Sequence, residues 1–369
     1  MSDQKLTYKS SGVNYDVMDK LKRMAQTAAS ATDNNISDTH FSLNKSSRGE
    51  SAVVIEEQNG TSLAFVQEGL GTKNLVADAM SLVTQKTYYE AIAQDTVAMI
   101  VNDLLTVGAR PMGILAYWAA GSEEWFTNEK RMQDLVNGWK AACDMSGAIW
   151  AGGETPTLSG IINPETIDLG GSAFGIIQNG QVTLGENLQA GDAIILFESS
   201  GIHANGLSLA RKIAESLPEK YATKLPSGRM YGEALLDPTI IYAKLVQDLF
   251  KNNIKINYMA NITGHGWRKL MRHTKEFTYR IKEIVPVPEV LSFIQQQAQM
   301  SNEEAYGNLN MGAGFAIFVS QADVQKALEI ASSNNIKAYN AGVVEQGQKQ
   351  VVIEPINVTF SSDSLQVRA

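Results

Sequence analysis

Several short groups of residues have the types and spacing that chemistry requires. In ESSGIHANGLSLARKI, residues 198–213, His203, Asn205 and Gly206 sit on a glycine-flanked turn between an apolar run and a helical pattern. A strand-to-helix turn presents free backbone N–H groups at a helix start, where an anion is stabilised. The plainer role is Asn205 capping the helix while His203 decorates the loop. A second group lies on the pattern YYEAIAQDTVAMIVNDLLTVGA, which is apolar nearly all round and therefore reads as a buried helix. Asp95 and Asn102 fall seven residues apart on one stripe of it, with Asp103 beside them. A buried carboxylate is costly unless it is paired or bound to a metal, so the alternatives are a salt bridge to a Lys or Arg, or service to Mg²⁺ and nucleotide phosphates. Four glycine-bearing turns follow strand-like runs: EGLGTK, GGET, TGHG and MGAG. They carry Glu68 and Lys73, Glu154 and Thr155, and His265 as polar companions, and glycine lets backbone approach a phosphate closely.

Other chemistries are excluded. None of these turns carries the G-K-[ST] of a P-loop or the G-x-G-x-x-G dinucleotide pattern. H-E-x-x-H, zinc-type Cys/His spacing and a G-x-S-x-G elbow are missing as well. Cys143 is the only cysteine, so there is no disulfide framework. A net charge of −8 argues against nucleic acid as a partner, because a phosphate backbone demands a basic face. Small phosphorylated ligands need only a local pocket, and Arg268, Lys269, Arg272, His273 and Lys275 form one basic cluster; its plainer reading is a solvated helix face. The longest apolar runs are too short to span a bilayer and the start has no targeting character, so no membrane partner and a cytoplasmic location are expected.

The elements that must position these residues alternate between strand and helix. A length of 369 residues suggests two domains. Residues 1–50 read as a polar arm, with a short helix near 17–30 and a loosely docked remainder. SAVVIEE and TSLAFVQE, joined at Asn59-Gly60, suggest a hairpin; the buried helix, the strand PMGILAYWAA, a further helix, and the strands AIWAGG and IDLGGSAFGIIQ follow. A turn-rich stretch, 179–193, separates an N-terminal domain (51–185) from a C-terminal one (190–369). The second domain restarts at AIILFESS. It includes a helix over DPTIIYAKLVQDLFKNN with Pro238 near its start, and ends strand-helix-strand-strand. The fold class is α/β (α+β), two successive domains each built on a sheet.

Taken together, YKSSGVN, EGLGTK, IAQDTVAMIVNDLLTVGARPM, AGGETP, SSGIHANGLSLARKI, LLDPTIIYAKLV, NITGHGW and NMGAGF resemble the aminoimidazole ribonucleotide synthetase (phosphoribosylformylglycinamidine cyclo-ligase) family. They occur in the family's order and cover most of residues 8–355. The resemblance implies a homodimer whose N-terminal mixed sheets form a shared β-barrel, with an α/β C-terminal domain of mixed sheet on each. It also implies Mg²⁺ and ATP as co-substrate, a small phosphorylated ribonucleotide, and ring closure in purine synthesis. By position, Lys73, Gly69, Gly71, Thr72, Asp95, Asn102 and Glu154 would serve ATP, and Glu68, Asp95 and Asp103 the metal. His203, Asn205, Gly206, Thr263 and Gly264 would face the substrate, with His203, His265 and Asn261 as catalytic positions.

Three departures accompany the resemblance. Glu68 stands where the family has Asp, the glycine-rich segment ahead of the first strand is missing, and the family's HITGGG reads NITGHG. Asn261 cannot titrate, so His265 is expected to supply the imidazole. Two other readings compete: a different ATP-using member of the superfamily, such as a thiamine-monophosphate kinase, and an inactive ligand-binding paralogue.

Overall fold

The computed structural model describes residues 15–58 and 60–368, so YKSSGVN and Asn59 lie outside the described residues. The first sheet comprises β1 (Phe41–Leu43), β2 (Val53–Glu57), β3 (Ser62–Gly69), β4 (Arg110–Ala120), β5 (Ile149–Glu154) and β6 (Ile167–Ile177). Its order is β1-β2-β3-β6-β4-β5, antiparallel except for the β4–β5 pair. Along β3 the side chains alternate, Ala64 and Val66 inward and Phe65 and Gln67 outward, as a strand with one covered face requires. The inward face is covered by α3 (Tyr89–Leu105), where Gly171 and Gly175 of β6 leave room for Ile100 and Leu104. α4 (Glu129–Ser146) lies close against α3, because Gly138 faces the Glu90 backbone with no space for a side chain. α2 (Lys73–Thr84), which the apolar pattern does not announce, starts from the glycine turn after β3.

The second sheet comprises β7 (Ala193–Glu198), β8 (Ile256–Asn261), β9 (Phe277–Ile281), β10 (Ala313–Val319), β11 (Ala338–Gln346), β12 (Gln350–Ile353) and β13 (Val358–Ser361). The order is β13-β12-β9-β11-β7-β10-β8, mixed because β9 and β12 run parallel. β10 is buried along its whole length, which explains why GFAIFVS reads as a continuous apolar run. Helices α5 (Leu207–Ser216), α7 (Ala243–Lys251), α8 (Glu289–Gln297) and α10 (Val324–Ser333) surround it, with the short α6 (Tyr231–Leu235) and α9 (Asn302–Asn308) between them. A Ser301–Glu304 capping box starts α9.

Two expectations change. The helix expected from Pro238 begins only at Ala243, and residues 237–242 have no regular secondary structure. Their backbone groups are taken by α3: Gln94 Nε2 donates to Thr239 O (2.9 Å), Asn102 Nδ2 to Ile240 O (2.8 Å), and Tyr242 N to Asn102 Oδ1 (3.1 Å). The polar arm, expected to be loosely docked, is tied down. β1 joins the first sheet, and α1 (Tyr15–Ser30) donates from Arg23 to Gln366 O and from Gln26 to Val367 O.

Candidate active site

A cavity of about 700 Å³ is lined by both halves of the chain and by the arm. β3 delivers Glu68, α3 delivers Met99 and Asp103, and the turn after β7 delivers Asn205. Thr263, Gly264, His265 and Lys269 come from the turn and 3₁₀ helix after β8, and α1 closes one side with Met18, Lys22 and Ala25.

Two carboxylates meet on one wall. Glu68 is pushed up to about 8, first by burial and then by the neighbouring, hydrogen-bonded Asp103 carboxyl; Lys269 and Arg272 pull it the other way. Asn261, buried at the end of β8, donates through Nδ2 to Asp103 Oδ1 at 2.7 Å. An amide here gives Asp103 a donor whose state does not vary with pH. The Lys269 ammonium donates to Thr263 Oγ1. Burial lowers its pKa, while Asp103 and Glu68 act against that shift.

The opposite wall is held by a clamp on Glu50. Tyr258 donates its hydroxyl to this carboxylate at 3.0 Å, Arg368 pairs with it, and Arg272 reaches Gly49 O (2.9 Å) and Ser51 Oγ (2.7 Å) beside it. The basic cluster is therefore an anchoring set rather than a solvated face. Arg268 donates to Gly307 O and Ser364 O, and Lys275 to the carbonyls of Gly185, Glu186 and Leu188.

His265 lines the cavity, but its Nε2 lies 3.3 Å from Asp19 Oδ2 of α1 and not beside Asn261. Burial, with the Lys269 and Arg268 charges, pushes its pKa down to about 3. As a neutral imidazole it ties the arm to the turn after β8.

His203 is buried, in the left-handed region (φ 58°), and its Nε2 accepts from Ser200 N at 3.2 Å. Burial pushes it down to about 3 as well, so it locks the turn as a neutral ring rather than facing the cavity. Asn205 does face the cavity, with Nδ2 3.7 Å from Met99 Sδ, and it does not cap α5. The cap position belongs to Gly206 at φ 89°, a conformation that costs glycine little.

Lys73, Asp95 and Asn102 do not line this cavity. Lys73 Nζ and Asp95 Oδ1 form a 2.8 Å ion pair with no solvent exposure on either side chain. Lys73 also donates to Asp237 O (2.8 Å), and Asp95 Oδ1 accepts from Thr239 N (2.8 Å) and Thr239 Oγ1 (2.5 Å). With Asn102 they form a seam joining α2 and α3 to segment 237–242. Asp95 Oδ2 is buried with no hydrogen-bond partner among the described residues, and Asp95 does not line the cavity with Glu68 and Asp103. Among the described residues, no three His, Cys, Asp or Glu side chains converge as metal ligands.

The glycine turns share a register. Gly69 pairs with Gly170, Gly170 with Tyr117, and Tyr117 with Glu154, so these four form one row across β3, β6, β4 and β5. The next row holds Glu68, Gly171, Ala116 and Gly153. Gly69, Gly71 and Glu154 are exposed, and Gly71 (φ 79°) and Thr72 lead from the row into α2. A surface with so little side chain lets a ligand lie on backbone.

Sequence reasoning placed Lys269 only within a basic cluster and gave no role to Glu50 or Asp19. The partners of Glu50 and Asp19 are too distant along the chain to be read locally.

Comparison with known proteins bears on both halves. Residues 49–177 match the family "AIR synthase related protein, N-terminal domain", and residues 189–354 its C-terminal domain. The chain is 34% identical over 358 residues to phosphoribosylformylglycinamidine cyclo-ligase of Carboxydothermus hydrogenoformans, covering 95% of this chain and 99% of that protein. In fold it is similar to the HypE-HypF complex structure (TM-score 0.61, 18% identity, 85% of this chain and 93% of that one). It is also similar to AaThiL complexed with AMPPCP and TMP (TM-score 0.56, 15% identity, 84% and 89%).

Proposed function

Because the chain belongs to the AIR synthase related family, we propose that it is a phosphoribosylformylglycinamidine cyclo-ligase. It closes formylglycinamidine ribonucleotide to aminoimidazole ribonucleotide at the expense of ATP, releasing ADP and phosphate in purine biosynthesis. The formyl oxygen takes the phosphoryl group, an amidine nitrogen attacks the same carbon, and the C–O bond breaks as phosphate leaves. The single observation that carries this reading is the cavity where Glu68 and Asp103 face the Lys269 ammonium, beside the glycine row. One wall suits a cation and the other an anion, which is what a reaction on phosphorylated ligands needs.

The carboxyl pair fits Mg²⁺. Two carboxyls forced together, one pushed up to about 8, are a donor set that a divalent cation relieves, and Mg²⁺ binds through one or two carboxylates plus substrate phosphates. Glu68 and Asp103 would hold it, and its contribution is charge neutralisation on the triphosphate. Asn261 orients Asp103, and Thr263, Gly264 and Asn205 border the space for the ribonucleotide. ATP lies along the row from Gly69 and Gly71 to Glu154, outside the seam that occupies Lys73, Asp95 and Asn102. In place of a glycine-rich lid, α1 and residues 47–53 cover the cavity.

The outer face of the first sheet supports a homodimer. Phe65 (41% exposed) and Leu115 (39%) lie there with Val53 and Phe174, an apolar face that a second copy covers. A cytoplasmic location fits a reaction on free nucleotides, and no described helix is long and apolar enough to cross a membrane. The deciding experiment incubates purified protein with the ribonucleotide, ATP and Mg²⁺ and measures aminoimidazole ribonucleotide against ADP. Stoichiometric formation is expected. ATP hydrolysis without the imidazole, or no turnover, overturns the assignment.

A further inference from the structure

Four cationic side chains line the cavity: Lys22, Arg48, Lys269 and Arg272. Three are committed. Lys22 pairs with Asp19, Arg48 with Asp33, and Arg272 with Glu50 while also holding Gly49 O and Ser51 Oγ. Lys269 differs. Only 8% of it is exposed, and among the described residues its one hydrogen-bond partner is the neutral Thr263 hydroxyl, with no carboxylate at salt-bridge distance. An ammonium has three donors, and a buried one without a paired anion is costly. Glu68 and Asp103 lie near enough to act on its charge, yet on the reading above they serve a metal.

We propose that Lys269 is a phosphate-binding residue of this active site, contacting a phosphate of one of the two reactants through its free N–H donors. The inference rests on the cyclo-ligase reading for the identity of those reactants. The phosphate is either the one transferred from ATP or the 5′-phosphate of the ribonucleotide, and both offer the same oxyanion chemistry. Thr263 aims the ammonium into the cavity beside the carboxyl wall. Lys22 and Arg272 already have carboxylate partners in Asp19 and Glu50 and supply background potential.

The test is binding, so it does not depend on turnover. Mg·ATP and formylglycinamidine ribonucleotide are titrated separately by calorimetry into the full-length parent and the Lys269→Met and Lys269→Arg variants, with melting curves for each. In Lys269→Met, one ligand should weaken tenfold or more while the other stays within twofold. Loss of ATP assigns the transferred phosphoryl, and loss of the ribonucleotide assigns its 5′-phosphate. Lys269→Arg should keep the affected affinity within tenfold of the parent. If both affinities are unchanged, or both fall equally with an unchanged melting curve, the inference is overturned. Should Lys269→Met melt early, the arginine variant decides: folded yet unable to bind the affected ligand, it too overturns the proposal. Cyclisation by the parent is assayed in parallel. A parent that binds selectively through Lys269 but forms no imidazole refutes the cyclo-ligase reading and leaves this one standing.

Discussion

Removing Asp95 separates a ligand from a structural ion-pair partner. In Asp95→Ala, the Lys73 ammonium stays at zero exposure and keeps only the Asp237 carbonyl, while Thr239 N and Oγ1 lose their acceptor. Breaking a buried pair by deleting one partner costs about 3–5 kcal/mol, because an uncompensated charge is left behind. The two Thr239 bonds belong to the same network, so their loss is contained in that figure and not added to it. For a domain of this size the loss corresponds to a fall in Tm on the order of 10 °C. Urea denaturation followed by tryptophan fluorescence measures it, because Trp118, Trp125 and Trp139 are buried in the N-terminal half and Trp267 in the C-terminal half. The double variant Lys73→Met, Asp95→Leu should recover most of the loss, since replacing a buried pair with apolar groups is often neutral or stabilising. Mg·ATP affinity of the folded fraction should stay within a few-fold of the parent. If Asp95→Ala loses less than about 1 kcal/mol while Mg·ATP binding collapses, the pair opens to nucleotide in solution and the seam assignment is wrong.

Other outcomes follow from the same geometry. Phe65→Glu with Leu115→Glu should convert a dimer to a monomer in sedimentation velocity; an unaltered dimer would move the interface elsewhere. The neutral histidines set a pH dependence: His203, His265 and His273 are pushed down to about 3, 3 and 4, below the ordinary value near 6.5. The unfolded chain therefore binds protons that the folded one refuses. Their stability contribution is complete above about pH 6.5 and declines as pH falls toward 4. His203→Asn, which tolerates the left-handed turn, should flatten that decline in melting curves taken from pH 7 to 4.5. Asn261→Ala should weaken Mg²⁺ dependence of the reaction several-fold with a near-parental melting temperature, and an unchanged metal titration would show that Asp103 needs no positioning donor.

Much of the architecture is legible in the residues. The alternation in SLAFVQEG, the all-round apolar helix and the continuous run GFAIFVS each report burial directly, and they lie in the two sheets and α3 as read. What escaped has a common physical cause, which is partners far away in sequence. Asp19 and His265 are 246 residues apart, so nothing near either residue announces a docked arm. Residues 237–242 read as a helix start because Pro238 suits one, but Gln94 and Asn102 bond the backbone outside any helix, and tertiary contacts outweigh local propensity. The basic cluster at 268–275 had a solvated face as its plainer reading, because a sequence does not reveal that the carbonyls of Gly307 and Ser364 will be left for Arg268 to satisfy.

The two aspartates of α3 show where chemistry can be read and where it cannot. Asp95 and Asp103 sit on one buried helix, eight residues apart, and both read as carboxylates that need a cation. Burial sets that need but does not name the cation. Asp95 is met by the protein's own Lys73 at 2.8 Å with Thr239 closing one oxygen, so its charge is spent on joining the two halves. Asp103 is met by a neutral amide and by a second carboxyl, an arrangement that leaves negative charge unanswered within the chain. A folded protein keeps such an arrangement at a cost of stability, and the cost is tolerable where a ligand supplies the missing charge. Lys269 mirrors it on the facing wall, a cation answered by a hydroxyl. The carboxyl pair and the ammonium of the cavity thus suit a ligand that brings both a metal and a phosphate.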